Sequence, residues 1–406
     1  MSKVKEIGLF SLHETIGEGA FSIVRRATSK IFMNNAAAKI IPKGAMDEKR
    51  IIREFQLLKS LNHPYICPLY EYIEEKTHHY FIMEFLEGGS LLDLISANAL
   101  IPDDVVRHYF VQIVMILEYL HKEKHMVHRD IKAENIMIDS DNNIRLIDFG
   151  LGNSNQNDCA LYSTACGSTL YASPEMLKGI SYDDKCDIWS AGVVLYLMVY
   201  GKYPFYDSNA SSLAEKIVET DPIFDLKTIV SQNRISKSIN LNLVNLLQNM
   251  LKKDPLERIS LEQIAIHPWV AEGNLYEKHK QDLTTIINTV EAQKNANFDE
   301  MHCKLIDCQL SFSQMETLQK ISYRCCINRM LSSISNLPKI PELTPDKKIK
   351  SLAIIKSFSG KKIKSSLDHK LPIPNHGSSF RQRKNSFNAA PSQNTKGLIE
   401  SRILSY

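Results

Sequence analysis

The stretch that decides the fold lies near the middle of the chain, where residues 127–137 read VHRDIKAENIM. Shortly afterwards the chain continues with Ile147-Asp148-Phe149-Gly150. These two segments place two carboxylates, a lysine and an amide between apolar runs. Burying polar groups without partners is costly, so the groups are expected to serve a site. They are Asp130, Lys132, Asn135 and Asp148.

The N-terminal part of the chain carries a glycine turn, Gly17-Glu18-Gly19-Ala20-Phe21-Ser22, between two predicted strands. A dinucleotide-binding fingerprint would lead into a helix, and a P-loop would end in Gly-Lys-Ser/Thr. Here residues 21–27 continue as a strand. The turn taken alone is compatible with an ordinary tight hairpin and with a flap over phosphates.

Lys39 lies in a short apolar strand, residues 36–41. A lysine in that setting either extends outward to solvent or meets an opposite charge. Glu54, on the predicted helix over residues 49–61, is a natural partner for the second arrangement. Such a pair would hold the ammonium group where it can neutralise phosphate oxygens.

The pattern of hydrophobic residues divides residues 9–270 into two parts. Short alternating strands and one helix extend to about residue 85, and after Gly88-Gly89 the periodicity becomes mainly helical. A strand-rich lobe followed by a larger helical lobe predicts an α+β fold with a cleft between the lobes.

Together these segments resemble the eukaryotic protein kinases from about Phe10 to Trp269, in motifs, order and spacing. The resemblance implies a bilobal catalytic domain over residues 9–270 that uses ATP and Mg²⁺. Lys132, two residues after Asp130, is similar to the serine/threonine kinases and unlike the tyrosine kinases.

The resemblance also implies individual roles. Asp130 would accept the proton of the substrate hydroxyl, and Lys132 would neutralise the γ-phosphate. Asn135 and Asp148 would hold magnesium, while Lys39, fixed by Glu54, would bind the α- and β-phosphates. Further nucleotide contacts are implied at Ile16, Gly17, Gly19, Val24, Ala37, Met83, Glu84, Leu86, Glu134 and Met137.

Two positions depart from the family pattern. Ser22 replaces the third glycine of the flap, and we still expect the protein to be catalytically active. Ser90 replaces the acidic residue that usually follows Gly88-Gly89 and contacts the ribose and a substrate arginine. A preference for basic substrates would then rest on Glu134.

The activation segment contains Thr164-Ala165-Cys166-Gly167-Ser168, which is similar to the AMP-activated-kinase-like branch of the calcium/calmodulin-kinase group. Arg129, directly before Asp130, adds a cation that needs an anion. Our hypothesis is that phosphorylated Thr164 supplies that anion through charge-assisted hydrogen bonds. The implied partners are protein substrates with Ser or Thr acceptors and an upstream activating kinase.

Charge separates the chain into unlike parts. Residues 1–270 carry 28 Lys and Arg against 34 Asp and Glu, whereas residues 271–406 carry 21 against 12. Residues 271–336 are expected to form a partly helical regulatory segment, and residues 337–406 a disordered basic tail that can contact an acidic membrane surface.

Several functional classes are disfavoured by the amino-acid sequence. The longest apolar run, Ala191 to Tyr200, is about half of what a membrane span needs. The cysteines lack metal-ligand spacing, and no nucleic-acid partner is indicated. We therefore expect a cytoplasmic protein that can also enter the nucleus. The rival hypothesis, a pseudokinase scaffold, would show loss of Lys39, Asp130, Asn135 or Asp148, and all four are present.

Overall fold

The computed structural model describes residues 5–31, 34–97, 101–149, 169–224, 227–229, 236–306 and 312–334. The N-terminal lobe is a six-stranded antiparallel sheet with the order β1-β2-β3-β4-β6-β5. Its strands are β1 (Lys5–Ile7), β2 (Phe10–Glu18), β3 (Ile23–Ser29), β4 (Asn35–Pro42), β5 (Leu69–Glu74) and β6 (His78–Glu84).

Helix α1 (Glu48–Ser60) lies between β4 and β5 in the chain and buries Ile51, Glu54 and Leu58. The Asp47 side chain accepts a hydrogen bond from the Lys49 amide, and Glu48 and Lys59 complement the helix dipole at the two ends. The residues at its two ends therefore stabilise the helix locally. The packing of its apolar face positions Glu54.

The C-terminal lobe is mainly helical and contains a small hairpin. Its helices include α2 (Leu91–Ala97), α3 (Asp103–Glu118), α4 (Pro174–Leu177), α5 (Lys185–Tyr200), α6 (Ala210–Glu219), α7 (Leu241–Met250), α8 (Leu261–Ala265) and α9 (Pro268–Ala271). Its strands are β7 (Ile136–Ile138), β8 (Ile144–Leu146), β9 (Lys227–Ile229) and β10 (Ser236–Ser238).

Helix α5 is the centre of this lobe. Every residue from Cys186 to Tyr200 is buried, which explains why its sequence is apolar all round. It ends at Gly201, whose φ of 64° closes the helix in a left-handed cap. The β7–β8 hairpin connects the two segments with which the sequence analysis began, residues 127–137 and 147–150.

Two long helices follow the catalytic lobes, α10 (Leu275–Ile306) and α11 (Phe312–Ile334). Helix α10 contacts α3, where the centroids of the His279 and His108 rings lie 5.0 Å apart. Its Leu283, Ile286 and Val290 are buried. Helix α11 contributes to both cores: Leu318 and Ile321 join the cluster of the N-terminal sheet, and Ile327 and Leu331 join the larger cluster. Both helices therefore belong to the packed structure.

The bilobal α+β prediction is confirmed, and its strands and helices agree with those observed to within a few residues. Strand β1 was not predicted. The segment expected to be partly helical, residues 271–336, contains the two long helices α10 and α11. The expected disordered tail, residues 337–406, lies outside the described residues. None of the helices described by the structure has the length and apolarity to cross a bilayer.

Candidate active site

The segment leading into β7 brings three predicted catalytic groups together. Lys132 Nζ lies 2.6 Å from Asp130 Oδ2, and Asn135 Nδ2 donates to the same oxygen at 2.9 Å. Asn135 Nδ2 also donates to the Asp130 carbonyl at 3.1 Å. The Asp130 carboxylate is thus fixed in place by two side chains from its own loop.

Asp187, at the start of α5, holds the backbone on the other side of Asp130. Its carboxylate accepts hydrogen bonds from the amides of His128 and Arg129, both at 2.8 Å, and contacts His121 Nε2 at 2.9 Å. Burial alone would raise the pKa of Asp187, but the contact with His121 outweighs it and the pKa is lowered. This buried anion supports the positive φ of Arg129, 68°.

Lys39 on β4 meets Glu54 on α1, with 2.7 Å between Nζ and Oε1. Its Nζ also lies 3.8 Å from Asp148 Oδ1. Burial favours the neutral amine, yet the charges of Asp148 and Glu54 prevail and raise the pKa of Lys39. The ammonium therefore stays charged at the position where the sequence predicted a phosphate contact.

Phe149, directly after Asp148, is buried against His128, with 4.7 Å between the ring centroids. Leu58 of α1 and Leu69 of β5 are buried in the same core. This packing connects the position of α1, and with it Glu54, to the loop that carries Asp148.

Most of the residues predicted to contact the nucleotide lie on the N-terminal sheet and its glycine turn, whereas Glu134 and Met137 lie in the C-terminal lobe. The glycine flap is the turn between β2 and β3, closed by a hydrogen bond of 2.7 Å from the Gly19 amide to the Ser22 carbonyl. Ala37 on β4 pairs with Met83 on β6. The partly exposed apolar side chains in this set are Ile16, Val24, Met83, Leu86 and Met137. Their partial exposure leaves them accessible to a ligand.

Asn135 and Asp148 fit the donor chemistry of Mg²⁺, which prefers oxygen ligands. The Asp148 side chain is 44% exposed, so its carboxylate is open to a cation. Asn135 uses its amide nitrogen on Asp130, which leaves the amide oxygen as the atom suited to a metal.

Ser90 has a structural role in the described residues. Its amide and hydroxyl both donate to Asp93 Oδ2, at 2.9 and 2.7 Å, and its hydroxyl accepts from the Asp93 amide at 3.1 Å. This reciprocal arrangement fixes the first turn of α2. Glu134 lies three residues before Met137, which pairs with Ser90 in a β-bridge, and burial raises the pKa of the Glu134 carboxyl group.

Glu84 shows what the sequence analysis missed. The resemblance implied a nucleotide contact at Glu84, but its buried side chain lies in an ion cluster with residues far away in the chain. Arg145 Nε is 3.3 Å from Glu84 Oε2, Arg324 Nη2 is 3.1 Å from the same oxygen, and Asn328 Nδ2 donates to Oε1 at 2.6 Å. We call Glu84, Asp139, Arg145, Arg324 and Asn328 the Glu84 cluster.

The charges of the Glu84 cluster are matched. Burial opposes ionisation of Glu84, but Arg324 and Arg145 prevail and lower its pKa to about 2. Arg145 also reaches Asp139 at 2.8 Å, and Arg324 Nη2 donates to the Pro64 carbonyl at 2.6 Å. An isolated Arg and Asn in a weakly periodic helix gave no signal for this contact in the sequence.

Comparison with known proteins agrees with the geometry. Residues 10–270 match the family described as "Protein kinase domain". The chain therefore belongs to the protein kinase family, whose members use ATP and Mg²⁺.

Among its relatives is serine/threonine-protein kinase SIK2 of Gallus gallus, 37% identical over 268 residues, which are 65% of this chain and 32% of the relative. Maternal embryonic leucine zipper kinase of Xenopus tropicalis is 36% identical over 65% of this chain and 39% of its own length. These relatives place the chain with the AMP-activated-kinase-related kinases of the calcium/calmodulin-kinase group. The matched regions span between 32% and 39% of these relatives.

Proposed function

We propose that this protein is a serine/threonine protein kinase that transfers the γ-phosphate of ATP to Ser and Thr hydroxyls of protein substrates. The observation that carries the proposal is the joint geometry of Asp130 and Lys39. Asp130 is fixed by Lys132 and Asn135, while Lys39 is paired with Glu54 next to Asp148. A pseudokinase scaffold has no need for this complete set.

Asp130 has the geometry of the group that accepts the hydroxyl proton. Within the described residues, the hydrogen bonds to its carboxylate come from Lys132 and Asn135 and both reach Oδ2. Oδ1 is therefore the oxygen suited to the substrate hydroxyl. Lys132, bound to Asp130, would bring its positive charge to the γ-phosphate during transfer.

Lys39 and the glycine flap would position ATP. The charged ammonium, kept in place by Glu54, supplies a fixed cation for the α- and β-phosphates. Gly17 and Gly19 permit close approach of backbone amides. Asn135 and Asp148 would hold Mg²⁺, which would neutralise further phosphate charge.

Transfer from ATP to a degenerate peptide library tests this proposal. The Asp130→Asn variant should be slower by about 10²–10⁴-fold, the usual contribution of a positioned acid or base. Thermal unfolding of the variant should remain near that of the parent chain. No transfer by the parent chain, or equal transfer by Asp130→Asn, would support the pseudokinase alternative.

Activation is proposed to require phosphorylation of Thr164 by an upstream kinase. Thr164 lies outside the described residues. Arg129, the proposed receiver of the phosphate, has its amide fixed by Asp187 and its guanidinium carbon 5.4 Å from the centre of the Tyr182 ring. After treatment with an upstream kinase, Thr164→Ala should be less active than the parent chain treated in the same way. Ser163→Ala is the matched control. Full activity in Thr164→Ala would contradict this step.

Glu134 is proposed to favour substrates with basic residues, as the remaining acidic contact after the loss at Ser90. Glu134→Gln should reduce the rate ratio between peptides with arginine before the acceptor and neutral peptides. The rates on neutral peptides should change less. An unchanged ratio would assign the preference to other residues.

The basic tail is proposed to contact acidic membrane surfaces from the cytoplasm. Support comes from the excess of cations after residue 270. The full chain should sediment with anionic vesicles more than with zwitterionic ones, and a chain ending at residue 336 should lose this difference. Equal sedimentation of the two chains would refute a role of the tail.

A further inference from the structure

Three metal-ligating side chains meet at the edge of the N-terminal lobe, outside the active site. Glu48 comes from the first turn of α1, Glu74 from the end of β5 and His79 from the start of β6. One donor atom from each lies within 4.8 Å of the other two. Register places Glu74 opposite His79 in the β5–β6 pair, so the strand pairing itself brings two of the donors together.

His79 is the group that points to a ligand. It is fully buried, 0% exposed, and its Nδ1 atom lies 2.7 Å from the Tyr72 hydroxyl. In the tautomer that donates Nδ1–H to Tyr72, Nε2 carries a lone pair. Among the described residues Nε2 has no hydrogen-bond partner, yet it lies 3.4 Å from Glu48 Oε1. In that tautomer the two electron-rich atoms would repel each other unless a cation lay between them.

The surroundings of His79 follow the common pattern of metal-binding histidines. Such a histidine nearly always donates its second ring N–H to a neighbouring acceptor, which fixes the ring and its tautomer. The Tyr72 hydroxyl is placed to be that acceptor in the tautomer with Nδ1–H, and the Tyr72 ring is stacked on Phe55 of α1 with 4.5 Å between the centroids. The imidazole is thus oriented before any ligand binds.

Lys43 is the competing cation at this place. Its ammonium group contacts Glu74 Oε1, and this contact together with the charge of Glu48 raises the pKa of Lys43. Glu74, Lys43 and Glu48 have side chains that are a third to a half exposed. They can therefore rearrange at little cost, and an ion of higher charge can displace the lysine.

We propose that Glu48, Glu74 and His79 form a binding site for a divalent transition metal, with zinc as the ion that suits it best. One imidazole and two carboxylates form a three-protein-ligand set that zinc accepts, with water in the fourth position. Zinc bonds of about 2.1 Å set tetrahedral donors roughly 3.4 Å apart. The distance of 3.4 Å between His79 Nε2 and Glu48 Oε1 already matches this spacing. Rotation of the Glu74 side chain would bring the third donor into place.

The consequence of binding is mechanical. The ion would join the first turn of α1 to β5 and β6, in the same helix that carries Glu54. Zinc would thereby favour the position of α1 in which Glu54 contacts Lys39. The site itself does not depend on the proposed kinase activity, because its ligands and its test are separate from the cleft.

The test is titration of the metal-free full-length chain with ZnCl₂ by calorimetry, in excess Mg²⁺ to occupy the oxygen donors of the cleft. Glu48→Gln and Glu74→Gln should each weaken binding at this site by at least about tenfold. Lys43→Met should tighten it, because the ammonium no longer competes for Glu74. Glu75→Gln is the matched control, since Glu75 is also a carboxylate of the β5–β6 turn and contacts Lys5 at 3.6 Å.

Substitution of Co²⁺ for zinc and thermal unfolding give two independent readouts. The cobalt spectrum should show d–d bands without thiolate charge transfer. Zinc should raise the unfolding temperature of the parent chain, of Glu75→Gln and of Lys43→Met, and should raise that of Glu48→Gln and Glu74→Gln less. Unchanged zinc affinity in both Glu48→Gln and Glu74→Gln, or a thiolate band from the cysteines, would overturn the proposal. These variants avoid His79, whose burial makes its replacement a risk to folding.

Discussion

The charges of the cleft differ from those of the Glu84 cluster in balance and exposure. The cleft brings Lys39 and Lys132 together with three carboxylates, those of Glu54, Asp130 and Asp148. The Glu84 cluster matches two arginines with two carboxylates, and its charged side chains are at most 12% exposed. The cleft therefore has one carboxylate more than it has cations, and its Asp148 side chain is 44% exposed, whereas the Glu84 cluster is neutral as a whole and closed.

This difference separates binding from architecture. Unbalanced, accessible charge is costly to the folded chain but suits a polyanionic substrate accompanied by metal ions. Balanced, buried charge gives little net stability over apolar packing, yet removing one member is severe because its partner remains buried. Substitutions in the cleft should therefore change activity first, and substitutions in the Glu84 cluster should change stability first.

The largest effect is expected from Arg145→Met. Glu84 and Asp139 would both lose a buried cation, so the free energy of unfolding should fall by about 3–5 kcal/mol. Urea denaturation followed by circular dichroism measures this loss. Adding Glu84→Gln and Asp139→Asn should recover part of it. A loss below about 1 kcal/mol would mean that the cluster behaves like an exposed ion pair.

Lys39→Met, in the cleft, should reduce activity more than stability. Phosphate transfer should fall by about 10²–10³-fold, the cost of removing one fixed donor to a developing anion. Some stability is also lost because Glu54 stays buried without Lys39. The double variant Lys39→Met/Glu54→Gln should regain stability while transfer stays low. Recovery of both together would show that Lys39 acts only through folding.

Acid should weaken the Glu84 cluster in a defined pH window. The folded-state pKa of Glu84 is about 2 and its ordinary value is 4.5, so its stabilising contribution is complete above pH 4.5 and is lost as the pH falls toward 2. The loss should reach roughly 3 kcal/mol. Urea midpoints measured across this range should fall more steeply in the parent chain than in Glu84→Gln. Parallel curves would contradict the lowered pKa of Glu84.

A smaller effect is expected from Arg324→Lys. The charge is kept, but the planar contact that joins Glu84 to the Pro64 carbonyl is lost, at about 1–3 kcal/mol of stability. Transfer per folded molecule should be unchanged. Arg329→Lys, an exposed exchange on the same helix, is the control and should leave the unfolding midpoint in place. Equal destabilisation by both variants would show that α11 tolerates no change of this kind.

Local sequence was sufficient to predict much of the fold and the proposed catalytic residues. Asp130, Lys132 and Asn135 lie within six residues of one another, so their spacing alone fixes their grouping. The Lys39–Glu54 contact required one helix and one strand to be placed correctly, and the periodicity of residues 49–61 gave that. These features could be predicted because the residues are close together in the sequence and the hydrophobic periodicity of the helix is strong.

Contacts between distant segments could not be predicted in the same way. Glu84 and Arg324 are 240 positions apart, and α11 has apolar residues for two different cores, which blurs its period. Near Glu74, the sequence has two adjacent histidines, and only the strand register shows that His79 is the buried one.

The sequence by itself determined the class of this protein, because a catalytic site for phosphate transfer needs particular side chains at fixed local spacing. The tertiary structure alone decided how α10 and α11 join the catalytic lobes and which charges are closed off from solvent. The physical reason is that burial and ion pairing depend on which surfaces meet. That choice is made by the packing of the whole chain and leaves no local pattern in the sequence.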